Sequence, residues 1–158
     1  MSHVTIDPGL PPTVLHAELI LLGRAIRDGA SALAEIGTLA PAQFADPSLG
    51  RIWSAINALA SDGSPHDHTS MAALYAGTGT LDEVGGTAFL ADLVLNADSS
   101  ISNSQAADAV RDAWFKRRLI DLGESLVGIA FGKGGLSGFE TLALAEQRLA
   151  DLRAGAGR

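Results

Sequence analysis

The chain has 158 residues, 47% of them hydrophobic and 18% charged, with a formal net charge of −7 and no cysteine. Such a length suits one domain, or one domain with an appendage, and the apolar content excludes wholesale disorder. The acidic balance disfavours a module built to grip phosphate backbones, and the lack of cysteine excludes disulfides, thiolate zinc sites and cysteine nucleophiles.

No apolar run approaches the length of a bilayer span. "AELILLGRAI" is the most apolar stretch, and Glu18, Gly23 and Arg24 interrupt or bound it. No basic region followed by an apolar block opens the sequence, so no secretory signal and a cytoplasmic location are expected. Residues 1–11 read as a flexible tail. From Thr13 the spacing Leu15, Leu19, Leu22, Ile26 makes one stripe of a 3.6-residue helix. Glu18 has no second carboxylate or nucleophile beside it, which predicts a helix-surface or interface role over acid–base chemistry. A short segment over 32–36 follows, then Pro41 and Phe44.

"DPSLGRIWSAINALASDG" carries both ends of a helix. Asp46 is the expected N-cap, Pro47 fits the first helical position, and Gly63 closes it. Leu49, Ile52, Trp53, Ile56 and Leu59 form its buried face. "GSPHDHTS" then brings His66, Asp67 and His68 together. A metal site there needs a third or fourth ligand that nothing in the sequence marks. The spacing favours a polar turn in which Asp67, Thr69 or Ser70 caps a short helix over 71–75. Thr80 and Glu83 have the spacing of a capping box, and "TAFLADLVL" reads as another short helix. Six short helices in the first hundred residues predict an orthogonal bundle, with 12–101 as a globular head.

The remainder differs. Ser102 and Gln105 form a capping box, and no proline occurs from Asn103 to Phe131, so one helix of roughly 28 residues, about 40 Å, is expected. "GKGGLSG" turns the chain, and Ser137 with Glu140 caps a helix to about Arg153. Leu119, Leu122, Leu126 and Ile129 on the first arm face Leu142, Ala145, Leu149 and Leu152 on the second, an antiparallel hairpin over 102–153. Residues 154–158 read as a flexible end or linker start. Two helices alone cannot bury that apolar surface, so the hairpin is expected to pack on a second copy. The fold class is therefore all-α: a small orthogonal helical bundle followed by a long antiparallel helical hairpin.

One basic cluster, Arg111, Lys116, Arg117 and Arg118, lies on the first arm beside Trp114. It allows a weak single-stranded DNA contact. The spacings Asp112–Lys116 and Arg117–Asp121 instead favour a solvated, ion-paired helix face. Trp53 and Trp114 read as core or interface residues.

These residues resemble the N-terminal domain of DnaB-type replicative DNA helicases along almost the whole chain. The resemblance lies in Pro12, Ala17-Glu18 and Leu22-Gly23, then Phe44, Asp46-Pro47 and Ile52-Trp53. It continues through Pro65-His66-Asp67, Gly85-Gly86 with Phe89-Leu90, Asn103, Arg117-Arg118-Leu119-Ile120 and Ala145-Glu146, all in order. His66 departs from the pattern, standing where the family usually has an apolar residue. The resemblance implies a helical head and hairpin that pair through the hairpins, three pairs forming a collar that docks primase.

The resembled helicases continue into a RecA-like ATPase domain, to which nothing in this sequence corresponds. "FGKGG", with Lys133, is no phosphate loop: Val127 stands at the first glycine position and Gly134 at the Ser/Thr position. ATP and magnesium would belong to the motor, and no cofactor, metal or catalytic residue is expected in this chain. The expected partners are a second copy (a dimer, or a trimer of dimers), primase, and a helicase motor in cis or in trans, with DNA contacted at most weakly and no membrane. An alternative is a stand-alone adaptor or inhibitor of the same fold that binds a helicase or primase. A metal-dependent enzyme built on His66 and His68 is the third class.

Overall fold

In the computed structural model the described residues are 14–155. Helix α1 spans Leu15–Asp28, α2 Ala30–Ile36, α3 Pro47–Ser61, α4 His68–Thr78, α5 Gly86–Leu95, α6 Asn103–Ala130 and α7 Gly138–Gly155. Single 3₁₀ turns lie at Pro41–Gln43 and Asp82–Val84. No strand occurs among the described residues, so the fold is all-α. Among the described residues before α6 there are five α-helices and two 3₁₀ turns, where the sequence suggested six short helices in the first hundred residues.

Two compact units divide the chain: a head over Thr13–Trp114, which includes the first turns of α6, and a second unit with the rest of α6 and all of α7. The head is built around α1, which packs on α2, α3 and α5. Helix α1 is therefore buried on more sides than one stripe allows. Ala17, Glu18, Ile20, Leu21, Leu22, Ala25 and Ile26 are all buried, whereas Leu15 of the expected stripe is half exposed. Each fully buried Leu or Ile side chain contributes about 2 kcal/mol of hydrophobic stabilisation. Gly23 is required by the crossing of α1 and α5, because a Cβ there would collide with the Leu93 carbonyl.

Asp46 caps α3 as expected, accepting from the Ser48 amide at 2.7 Å, with Pro47 at the first helical position. Its face, Leu49, Ile52, Trp53 and Ile56, joins the core, and Leu59 packs at the edge. The Trp53 Nε1 donates to the Leu39 carbonyl at 2.8 Å, and its ring lies 5.8 Å from that of Phe44. Trp53 is thus a core residue with its one polar atom satisfied. The capping box expected from Thr80 and Glu83 does not form. The Thr80 hydroxyl meets that of Thr78, and the 3₁₀ turn has no side-chain cap.

Glu18 is fully buried rather than at a surface, and its Oε1 accepts from the Ala45 amide at 2.8 Å. It ties α1 to the chain that enters α3. Arg24, also buried, holds the start of α6. Its Nε donates to the Ala97 carbonyl, Nη1 to the Ile101 carbonyl and Asn103 Oδ1, and Nη2 to the Ser99 carbonyl, at 2.8–3.1 Å. Asn103 in turn donates to Glu35 at 2.7 Å. One guanidinium therefore organises the whole loop between α5 and α6, as its planar set of five donors permits.

Candidate self-association surface

Both arms of the hairpin begin with reciprocal capping. The Gln105 side chain accepts from the Ser102 amide at 2.9 Å while the Ser102 hydroxyl accepts from the Gln105 amide at 3.1 Å. Glu140 and Ser137 repeat the exchange at 2.7 and 3.3 Å. The Ser137 bonds hold the Glu140 carboxyl below its ordinary value. Between the arms, Gly132, Gly134 and Gly135 take φ of 94°, 106° and 67°, a region that side chains with a Cβ avoid, so the glycines make the turn possible. Lys133 lies inside this turn, with no strand before it.

The apolar series divides by exposure. Leu122, Leu126, Ile129, Ala145 and Leu152 are half-buried, while Leu119, Leu142 and Leu149 are 48%, 54% and 47% exposed. No residue of α7 is buried. Two helices in contact each hide one flank of their apolar surface and leave the other in water. Sequence reasoning missed further apolar exposure near the turn, where Phe131 and Phe139 are 87% and 84% exposed and Val127 and Leu136 join them. These lie off the 3-4 stripe. The legible signal was the surplus of large apolar residues outside it.

The basic cluster resolves into different roles. Arg111 donates to the Ile36 and Thr38 carbonyls, each at 3.1 Å, and to Asp108 at 2.9 Å, so it closes the C-terminal end of α2. Lys116 is exposed and Arg117 partly so, and Arg118 bridges Asp121 at 3.3 Å. Asp121 thus has a cationic partner three residues back.

Around "GSPHDHTS", Asp67 Oδ1 accepts from the Thr69 and Ser70 amides at 2.9 and 3.1 Å, and Oδ2 accepts from the Ser70 hydroxyl. The Ser70 and Thr69 bonds hold this carboxyl below its ordinary value. It is the N-cap of α4. His68 is exposed in the first turn of α4, whereas His66 Nε2 is buried against the α1–α2 junction at Gly29. The two imidazoles have separate surroundings, and no group of three His, Asp or Glu suited to a metal occurs among the described residues. His66 fills space where the family pattern has an apolar side chain.

The class that these features define is an all-helical head carrying a helical hairpin with one apolar flank open. The family model of the DnaB-like helicase N terminal domain matches residues 10–112, and the chain belongs to that family. The replicative DNA helicase DnaC of Bacillus subtilis (strain 168) is 29% identical over 115 residues, which are 73% of this chain and 25% of that protein. The chain spans about a quarter of that relative's length. The crystal structure of the N-terminal domain of DnaB helicase from Mycobacterium tuberculosis is 26% identical with a TM-score of 0.75, over 90% of this chain and 99% of that one. A DnaB-like replicative helicase, solved in a study of its interactions with primase, shares the fold at 21% identity and a TM-score of 0.70, over 88% of this chain and 31% of that one. The matched family is the N-terminal domain of a DNA helicase and does not include the motor. No helix among the described residues is long and apolar enough to cross a membrane.

Proposed function

We propose that this chain serves as the non-catalytic collar domain of a hexameric replicative DNA helicase. It self-associates through the α6–α7 hairpin, as dimers that assemble into a trimer of dimers, and it recruits primase. The observation that carries this reading is the open apolar flank of the hairpin, Leu119, Leu142 and Leu149, in a chain of this family. Burying such a flank against its twin makes a four-helix arrangement in which every apolar stripe is covered. Primase docking rests on the fold shared with a helicase studied for that interaction. ATP and magnesium would act in the motor, joined in cis or supplied in trans. Lys116, Arg117 and Arg118 would contribute at most a weak DNA contact, since the chain carries a net charge of −7.

Light scattering tests the interface. Leu149→Asp places a charge in the apolar seam at a cost of several kcal/mol and should reduce the dimer to a monomer. An unchanged mass would remove Leu149 from the interface.

A further inference from the structure

Gly123 stands in the interior of α6, where a glycine costs stability relative to alanine. Nothing within the chain requires it. Its φ is not positive, and a Cβ there would point into open space. Gly23 owes its place to a helix crossing inside the head, whereas Gly123 has no such neighbour in its own chain. The helix surface around it is apolar on both sides. Leu119 and Ile120 lie four and three residues before it, and Leu126 and Val127 three and four after. Those four positions are its nearest neighbours on a helix surface, so the glycine is the floor of a depression with apolar walls. Leu119, Ile120 and Val127 are exposed and Leu126 is half-buried. Arg118, Asp121, Arg148 and Asp151 line the groove between the two arms, on one side of the hairpin. Leu119 and Gly123 are each two residues from Asp121, and Leu149 is two from Asp151. That is about 200° round each helix, so all three belong to the other, apolar side.

We propose that α6 of a second copy crosses α6 antiparallel at Gly123, on the two-fold axis of the hairpin pair. The inference rests on the pairing proposed above and adds its register and the residues that meet. An antiparallel crossing on a two-fold axis joins residues equally far before and after the axis. About Gly123 those pairs are Leu119 with Val127 and Ile120 with Leu126 of the other copy, each formed twice, and all are apolar on apolar. An axis at Leu122 would set Arg118 against Leu126, and one at Glu124 would set Asp121 against Val127. The pattern therefore favours position 123. It is also the middle of the arm, which runs from Phe115 to Ala130 within the second unit, so this register overlaps the two arms along their full length. Without a side chain at the axis the two helices can approach to about 8 Å, the close end of ordinary helix spacing, while the branched residues on either side interlock.

Disulfide trapping in the full chain tests this, since the sequence has no cysteine of its own. Leu119→Cys and Val127→Cys each leave Gly123 in place. Either variant alone puts its two sulfurs on positions eight residues apart along the seam, about 12 Å, beyond the reach of a disulfide. An equimolar mixture of the two should give a covalent heterodimer under mild oxidation, and neither variant alone should. A mixture that stays uncrosslinked, or Leu119→Cys that crosslinks to itself, would overturn the crossing. Sedimentation equilibrium of Gly123→Leu supplies a second reading. The variant should self-associate at least tenfold more weakly than the unmodified chain, with its helical circular dichroism retained, and association of normal strength would overturn the close approach. The two ideas fail differently. An unmodified chain that associates while the mixture stays uncrosslinked sinks the α6 crossing alone, whereas a monomeric unmodified chain sinks the pairing itself.

Discussion

At the scale of single residues, the head depends on a few positions whose chemistry is fixed by close approach or by burial. Gly23 is the clearest. Helices α1 and α5 touch there, and the obstacle to a larger side chain is the Leu93 backbone, which cannot rotate aside as a side chain would. Gly23→Ala should therefore destabilise the head by about 1–3 kcal/mol, although alanine is the better helix former. Chemical denaturation of the two proteins checks this, and equal stability would mean that the helices separate without penalty. Arg24 and Glu18 belong to the same group, because each satisfies backbone groups far away in sequence that would otherwise be buried unpaired. Neither role was legible in the sequence. Arg24 reads as an ordinary charge ending an apolar run, and its acceptors lie more than seventy residues away.

At the scale of elements, the local punctuation was legible and the tertiary pairings were not. Asp46-Pro47, Ser102 with Gln105 and Ser137 with Glu140 fixed three helix starts because capping is a contact within one turn. Thr80 and Glu83 have the same spacing, yet the segment folds as a 3₁₀ turn closed by Gly85 at φ 89°. Spacing alone cannot distinguish the two. Asp67 gives the histidine-rich segment its meaning, since its carboxylate is engaged by α4 and by Ser70. Its folded value is lowered, so its contribution is full above the ordinary value of 3.8 and is lost as pH falls through the lower folded value. Asp67→Ala should cost about 1 kcal/mol at neutral pH, and the gap from the unmodified chain should close in strong acid. Thermal melts of both proteins from pH 7 downward check the sign. A gap that widened in acid would show that the carboxylate is not the cap.

At the scale of the whole molecule, the proposed assembly ties the open hairpin to partner recruitment. If primase docks on the assembled collar, titrating primase from the same cells into the chain should give saturable binding by calorimetry. Leu149→Asp should abolish that binding along with self-association. Primase binding retained by the monomeric variant would place the docking surface on a single head. No binding to an associated chain would remove primase from the reading.

What the sequence determined by itself is what local physics encodes: the helices, most of their caps, the glycine turn, and the amphipathic series that predicted a hairpin. It also determined that "FGKGG" lacks the residues of a phosphate loop, because that motif depends on side-chain identity at fixed short spacing. Only the tertiary structure decided that α1 is buried on most sides, that Arg111 closes α2, and that Arg24 holds the start of α6. Those outcomes depend on which distant backbone groups arrive beside each side chain, and a period of 3.6 residues carries no record of that.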